Sequence, residues 1–113
     1  MKIKTSENYG AVVVSLKGNV MGGDDTNTFN ELLHKNLDAD KKNLVVNLKD
    51  VKFMNSSGLG MLIGGLTTMK KGGGNLKLAC TSNKIESLLI ITKLITIFES
   101  FKTVDEAVES YNQ

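Results

Sequence analysis

The chain has no arginine; all 14 of its basic residues are lysines. Arginine's planar fork is the usual means of gripping phosphates and base edges at two points, so its absence removes the common chemistry of nucleic-acid readout. The lysines are scattered along the chain and nearly balanced by 12 acidic residues, leaving a net charge of +2. Direct nucleic-acid binding is therefore not indicated. Cys80 is the only cysteine and cannot close an intrachain disulfide, a usage that suits a reducing compartment. At the end of an apolar run it reads as a small buried hydrophobe. His34 is the only histidine, and with no second histidine or cysteine at ligand spacing it reads as a surface residue. No metal and no other cofactor is expected. No apolar run approaches the roughly 20 residues that cross a bilayer, and no basic-then-apolar leader opens the chain. The expectation is a cytoplasmic protein that does not enter membranes.

What is present fits an α/β domain covering 1–113. Hydrophobic residues make up 41% of the chain, enough for one core. Ile3 and the run Ala11 to Leu16 read as two strands parted at Tyr9-Gly10, the second closed by Gly18-Asn19. Phe29, Leu32, Leu33 and Leu37 recur at helical spacing after a cap at Asp24, Asp25 or Thr26. Asn43 to Leu48 is short and apolar, as in a strand buried on both faces. Gly72-Gly73-Gly74-Asn75 stops the next helix and leads to the alternating strand Leu76, Leu78, Cys80. Asn83 with Glu86 caps a helix burying Ile85, Leu88 and Leu89, which ends near Thr92; a short strand is expected over Thr96 to Phe98. Thr103-Val-Asp-Glu106 is a capping box for a last helix that buries Val104, Ala107, Val108 and Tyr111. The order β, β, α, β, α, β, α, β, α predicts a mostly parallel or mixed sheet of four to five strands, with about four helices packed on it.

The stretch Val51 to Lys71 joins a strand to a helix through Asn55, Ser56 and Ser57. Their short polar side chains can accept from the free N–H groups that open a helix. On the helical wheel Leu59, Leu62, Ile63, Leu66 and Met69 share one side, which faces the core. The other side holds Ser57, Met61, Gly64 and Thr68, with Gly60 and Gly65 beside them. Each helix-interior glycine costs about 1 kcal/mol against alanine, so Gly64 and Gly65 are expected to form a surface approached closely by another protein, while Gly60 fits close packing against the domain's own sheet or a neighbouring helix equally well. A hydroxyl at Ser56 serves either as a cap or as a phosphate acceptor. There a phosphate would meet unpaired N–H groups and the positive end of the helix dipole, so the fold would tolerate it. It would also add about −1.5 to −2 charges to a small, neutral surface and repel a partner fitted to that surface. Elsewhere the residues offer no catalytic geometry. Asp24 and Asp25 are adjacent in a glycine-rich loop and have no fixed separation for acid–base work, and Gly72-Gly73-Gly74 lacks the phosphate-loop pattern.

The octapeptide F-M-N-S-S-G-L-G at 53–60, between a buried strand and a glycine-bearing helix, resembles the signature of STAS domains, especially the anti-sigma factor antagonist branch. The resemblance extends over essentially the whole chain, including Leu16-Lys17-Gly18, the turn and strand at 73–79 and I-x-x-L-L at 85–89. It implies a binding protein, not an enzyme. Such a protein sequesters an anti-sigma factor that is also a serine kinase, and it is a monomer when free. By the same resemblance Ser56 is the phosphorylated residue, Ser57 the secondary candidate, and a metal-dependent phosphatase reverses the modification. The partner surface carried over comprises Asn55, Ser57, Gly58, Met61, Gly64, Gly65 and Thr68, with Gly22 and Asp24 from the preceding loop. Asn55 stands where the family usually has aspartate, keeping a capping acceptor without the charge. The segment N-V-M-G-G-D-D-T after Gly18 is longer and more glycine-rich than the family's. Two other readings are a constitutive STAS subunit of a transport or stress-signalling assembly, in which Ser56 only caps the helix, and a nucleotide-binding STAS domain.

Overall fold

The computed structural model describes residues 1–112. Five strands, β1 (Lys2–Asn8), β2 (Ala11–Val20), β3 (Asn43–Met54), β4 (Asn75–Ala79) and β5 (Ser100–Phe101), form one sheet in the order β1-β2-β3-β4-β5. The β1–β2 pair is antiparallel, closed by a turn with positive φ at Tyr9 and Gly10, and the other pairs are parallel. Each parallel connection carries a helix: α1 (Asp24–Asp38), α2 (Ser56–Lys71) and α3 (Asn83–Ile91), with α4 (Val104–Ser110) closing the chain. The expected element order and mixed sheet are both present.

Alternation along the strands divides the core. Val12, Val14, Leu16, Leu44, Val46, Leu48, Leu76 and Leu78 face the larger cluster, completed by Phe29 and Leu33 of α1, by α2, and by Ile85 and Leu89 of α3. Ala11, Val13, Val45 and Ala79 face the other way, toward Ala107 and Val108 of α4. On that second face Lys77 is only 7% exposed. Its ammonium donates to Ser110 Oγ at 2.8 Å and lies 4.1 Å from the centre of the Tyr111 ring, with the Glu99 carboxylate at 3.6 Å. Such a buried charge is tolerable only because it is partnered. Tyr111 donates its hydroxyl to the Leu44 carbonyl at 2.7 Å, and burial pushes its phenol above the usual tyrosine range.

Several local expectations are corrected. Strand β2 does not close at Gly18-Asn19. It continues to Val20 through register shifts, because Gly18 takes a φ of +92° and the backbone keeps pairing with β3, which runs on past Leu48 to Met54. The α1 cap is Gly23, not Asp24, Asp25 or Thr26. Gly22 and Gly23 both adopt positive φ, which places the two aspartates inside the first turn, where they meet the helix dipole. The α3 cap is Ser82, one residue before Asn83; its Oγ accepts from the Ile85 N–H at 3.3 Å. Residues 96–98 are not a strand. The chain after α3 turns back onto the Leu89 carbonyl through Leu94 and Ile95, buries Phe98, and pairs with β4 only at Ser100 and Phe101. Cys80 lies just past β4 with φ +59° and is half-buried, not enclosed. His34 is exposed.

Candidate functional site

Strand β3 hands the chain to α2 at Asn55. Its N–H donates to the Val20 carbonyl at 3.3 Å, and its Oδ1 accepts from the Gly58 N–H at 2.8 Å. Asn55, not Ser56, is therefore the α2 cap. Ser56 and Ser57 occupy the first two helical positions, both exposed. Neither hydroxyl has a hydrogen-bond partner among the described residues. The other three helices each place an acidic residue in the first turn, whereas α2 has none. The positive end of its dipole is left for a solvent anion or for a group added to the serines.

Two glycines fix this corner. A Cβ on Gly58 would lie 2.0 Å from the Val20 carbonyl oxygen, so only glycine lets α2 rest directly on the end of β2. Gly22, with φ +79°, brings the β2–α1 loop against Ser57; a Cβ there would sit 2.9 Å from Ser57 Cβ. The structure thus brings Gly22, Asn55, Ser56, Ser57 and Gly58 together, but Gly22 and Gly58 are buried by the close approach of the loop and of β2 and are not themselves open to a partner. Asp24 is exposed in the first turn of α1, two residues beyond Gly22.

The far side of α2 differs from the expectation. Met61 is 3% exposed and belongs to the main core. Gly65 is buried too: a Cβ there would come within 2.7 Å of the Phe29 ring and 3.1 Å of Leu33. Both residues are withdrawn from the partner surface because α1 packs on that side of α2, widening the buried arc beyond the part that faces the sheet. Leu59, Leu62, Leu66 and Met69 are buried as expected, while Ile63 is only half-buried. The open strip is rotated accordingly and runs from Ser56 and Ser57 through Gly60 and Gly64 to Thr67. Both glycines face open space, and Thr68 lies half-buried at its margin.

Sequence reasoning missed a neighbouring feature. Past the end of β4, the terminal residues of β3 and the outer face of α3 line an open groove of about 430 Å³, with Phe53, Met54, Ile85, Leu88 and Ile91 along it and Lys52 and Lys84 among its polar residues. Phe53 is 53% exposed and Ile91 78%. The signal was the bulky Phe53 just ahead of the serines and the unbroken Ile90-Ile91 pair, apolar residues with no interior place to occupy.

The fold and this corner define a small α/β domain that offers a capped, serine-bearing helix start and an uncharged helix face, without clustered metal ligands among the described residues. The sequence profile of the STAS domain family matches residues 2–107, and the chain belongs to that family. The anti-sigma-B factor antagonist of Bacillus subtilis (strain 168) is 44% identical over 52 residues, which are 46% of this chain and 48% of that protein. The match therefore spans about half the length of this curated relative. A crystal structure of a putative anti-sigma factor antagonist from Thermotoga maritima superposes with a TM-score of 0.86 at 20% identity, covering 98% of this chain and 95% of that one. The Bacillus cell fate determinant SpoIIAA in its phosphorylated form gives 0.74 at 17% identity, covering 97% and 99%. At these identities the two structures establish a shared fold. No described helix is long and apolar enough to cross a membrane.

Proposed function

We propose that this chain is an anti-sigma factor antagonist: a binding module, not an enzyme, that captures an anti-sigma factor with serine-kinase activity and releases it when Ser56 is phosphorylated. The observation that carries the reading is the capping by Asn55. Because Asn55 Oδ1 already holds the Gly58 N–H, the Ser56 hydroxyl is spared a structural task and stays exposed at a helix start with no acid in its first turn. A phosphate on Ser56 would be stabilised by the free N–H groups and dipole of α2, leaving the fold intact while adding negative charge to an uncharged surface. The partner surface proposed is Asn55, Ser57 and the strip through Gly60 and Gly64 to Thr67, with Thr68 at its margin and Asp24 beside it; the buried Gly22 and Gly58 shape this surface from beneath. A relative in sequence named for antagonism of an anti-sigma factor, and a fold relative solved with phosphate attached, are consistent with this reading.

Ser57 remains the secondary acceptor, and a metal-dependent phosphatase is the expected counterpart of the kinase. The free chain is proposed to be a cytoplasmic monomer, all of it a STAS domain. The test is incubation with the anti-sigma kinase of its own organism and ATP, followed by localisation of phosphate by mass spectrometry. Modification at Ser56, lost in Ser56→Ala, is the expected result. An unmodified chain together with a Ser56→Ala variant of unaltered phenotype would instead favour a constitutive subunit of a larger assembly.

A further inference from the structure

The geometry points to a second docking element on this domain: the groove between the end of β3 and α3 receives a segment of the anti-sigma partner that presents bulky apolar side chains flanked by carboxylates. The identity of that partner rests on the function proposed above; the chemistry of the segment does not. Strand β4 pairs with β3 only from Asn43 to Asn47, so the last turn-ward residues of β3 have no strand beside them on that side. Between them and α3 lies the 430 Å³ groove, a size in the range of sites that bury a ligand. Its walls carry Phe53 and Ile91, 53% and 78% exposed. Leaving such side chains in water costs stability that burial against a partner would recover.

Charge selects the occupant. The only ionisable residues lining the groove are Lys52 and Lys84, and neither is in an ion pair among the described residues. Glu86, the acid on the same helix, does not line it and accepts instead from the Thr81 hydroxyl at 3.1 Å. An apolar trough with an all-positive rim is complementary to an apolar ridge with acidic flanks, and it disfavours a basic one. The groove abuts the serine corner, since Phe53 and Met54 immediately precede Asn55.

The test is an NMR titration of the isotopically labelled chain with two synthetic amphipathic peptides. They share the same leucine ridge, and one is flanked by glutamates and the other by lysines. The acidic peptide is expected to shift the amide resonances of Phe53, Ile85, Leu88 and Ile91; the basic peptide is expected to leave them in place. The shifts should be lost in Ile91→Ser, whose thermal midpoint should match the parent because that side chain is 78% exposed, and in Phe53→Ser, whose circular dichroism spectrum should show the fold retained. The double change Lys52→Glu, Lys84→Glu should exchange the peptides' order. Equal response to both peptides, or none at the groove, would overturn the proposal. Shifts that appear on concentrating the free chain would overturn it by assigning the groove to a second copy, and shifts seen only with anionic lipid vesicles by assigning it to a membrane surface. Loss of the groove with Ser56 phosphorylation intact removes this element and leaves the switch; groove binding without phosphorylation removes the switch and gives the groove another partner.

Discussion

Asn55→Ala removes the single side chain that caps α2. The bond lost is the 2.8 Å contact from the Gly58 N–H to Asn55 Oδ1, at a half-buried position where water replaces only part of it. Loss of such a cap costs about 1 kcal/mol, within a range of about 0.5 to 2. For a domain of this size that lowers the thermal midpoint by about 4 °C. Asn55→Asp should act in the opposite direction: it keeps the acceptor and adds a negative charge to a helix start whose first turn has no acid, a gain of about 0.3 to 1 kcal/mol. The helix end would hold the new carboxylate below its ordinary range. The gain is therefore complete above the unfolded value of about 4 and is lost as pH falls from there through the lower folded-state value, and it shrinks with added salt. Urea unfolding of the three proteins, followed by circular dichroism at two pH values and two salt concentrations, measures all of this. An Asn55→Ala variant as stable as the parent, or an Asn55→Asp variant less stable than Asn55→Ala, would refute the capping account.

Neighbouring glycines on α2 should respond with opposite signs. Gly64→Ala, in open space, should stabilise by up to about 1 kcal/mol, whereas Gly65→Ala, pressed against the fully buried Phe29 ring, should destabilise by about 1 to 2 kcal/mol in the same unfolding assay. If both stabilise, the placement of Gly65 in the core is wrong. Gly58→Ala drives a methyl group into the Val20 carbonyl and should cost about 3 kcal/mol or more; a soluble variant with an unchanged midpoint would contradict the close approach of α2 to β2. Tyr111→Phe should cost about 1 kcal/mol at neutral pH through loss of the bond to the Leu44 carbonyl. Because burial raises the folded-state pKa of this phenol, its contribution is complete below the unfolded value of about 10 and falls as pH climbs beyond it. The stability gap between the two proteins should narrow across that interval, and a constant gap would argue against a buried phenol.

The periodic signals in the sequence carried the architecture well. Val12 to Leu16, Leu44 to Leu48, and Leu76 with Leu78 are strands because β-branched and leucine residues alternate between two covered faces, and Thr103 caps α4 with the Oγ bond to the Glu106 N–H that its capping box implies. Most of the failures depend on what packs alongside and not on local spacing. A wheel drawn for α2 alone assigns one buried side, while the contact with Phe29 and Leu33 of α1 buries Gly65 as well. Gly18 and Asn19 look like a strand stop, yet β3 continues beside them and holds β2 to Val20. Aspartates at 24 and 25 are good caps by residue type, but paired positive-φ glycines turned the chain one residue earlier. The serine corner was legible from the octapeptide; the assignment of the cap to Asn55 needed the geometry of Gly58. The groove beside it left only unassembled signals in the sequence, because Phe53 and Ile91 come from distant parts of the chain.

The central claim is that one phosphate on Ser56 changes what α2 can bind without changing the fold. It is tested most directly by titrating the anti-sigma kinase, by calorimetry, into the unmodified chain and into the chain phosphorylated at Ser56. Expected is a loss of affinity of about a hundredfold or more, the equivalent of about 2.7 kcal/mol, with superimposable circular dichroism spectra. Equal affinity for the two forms, or a phosphorylated chain that has lost its fold, would contradict the account.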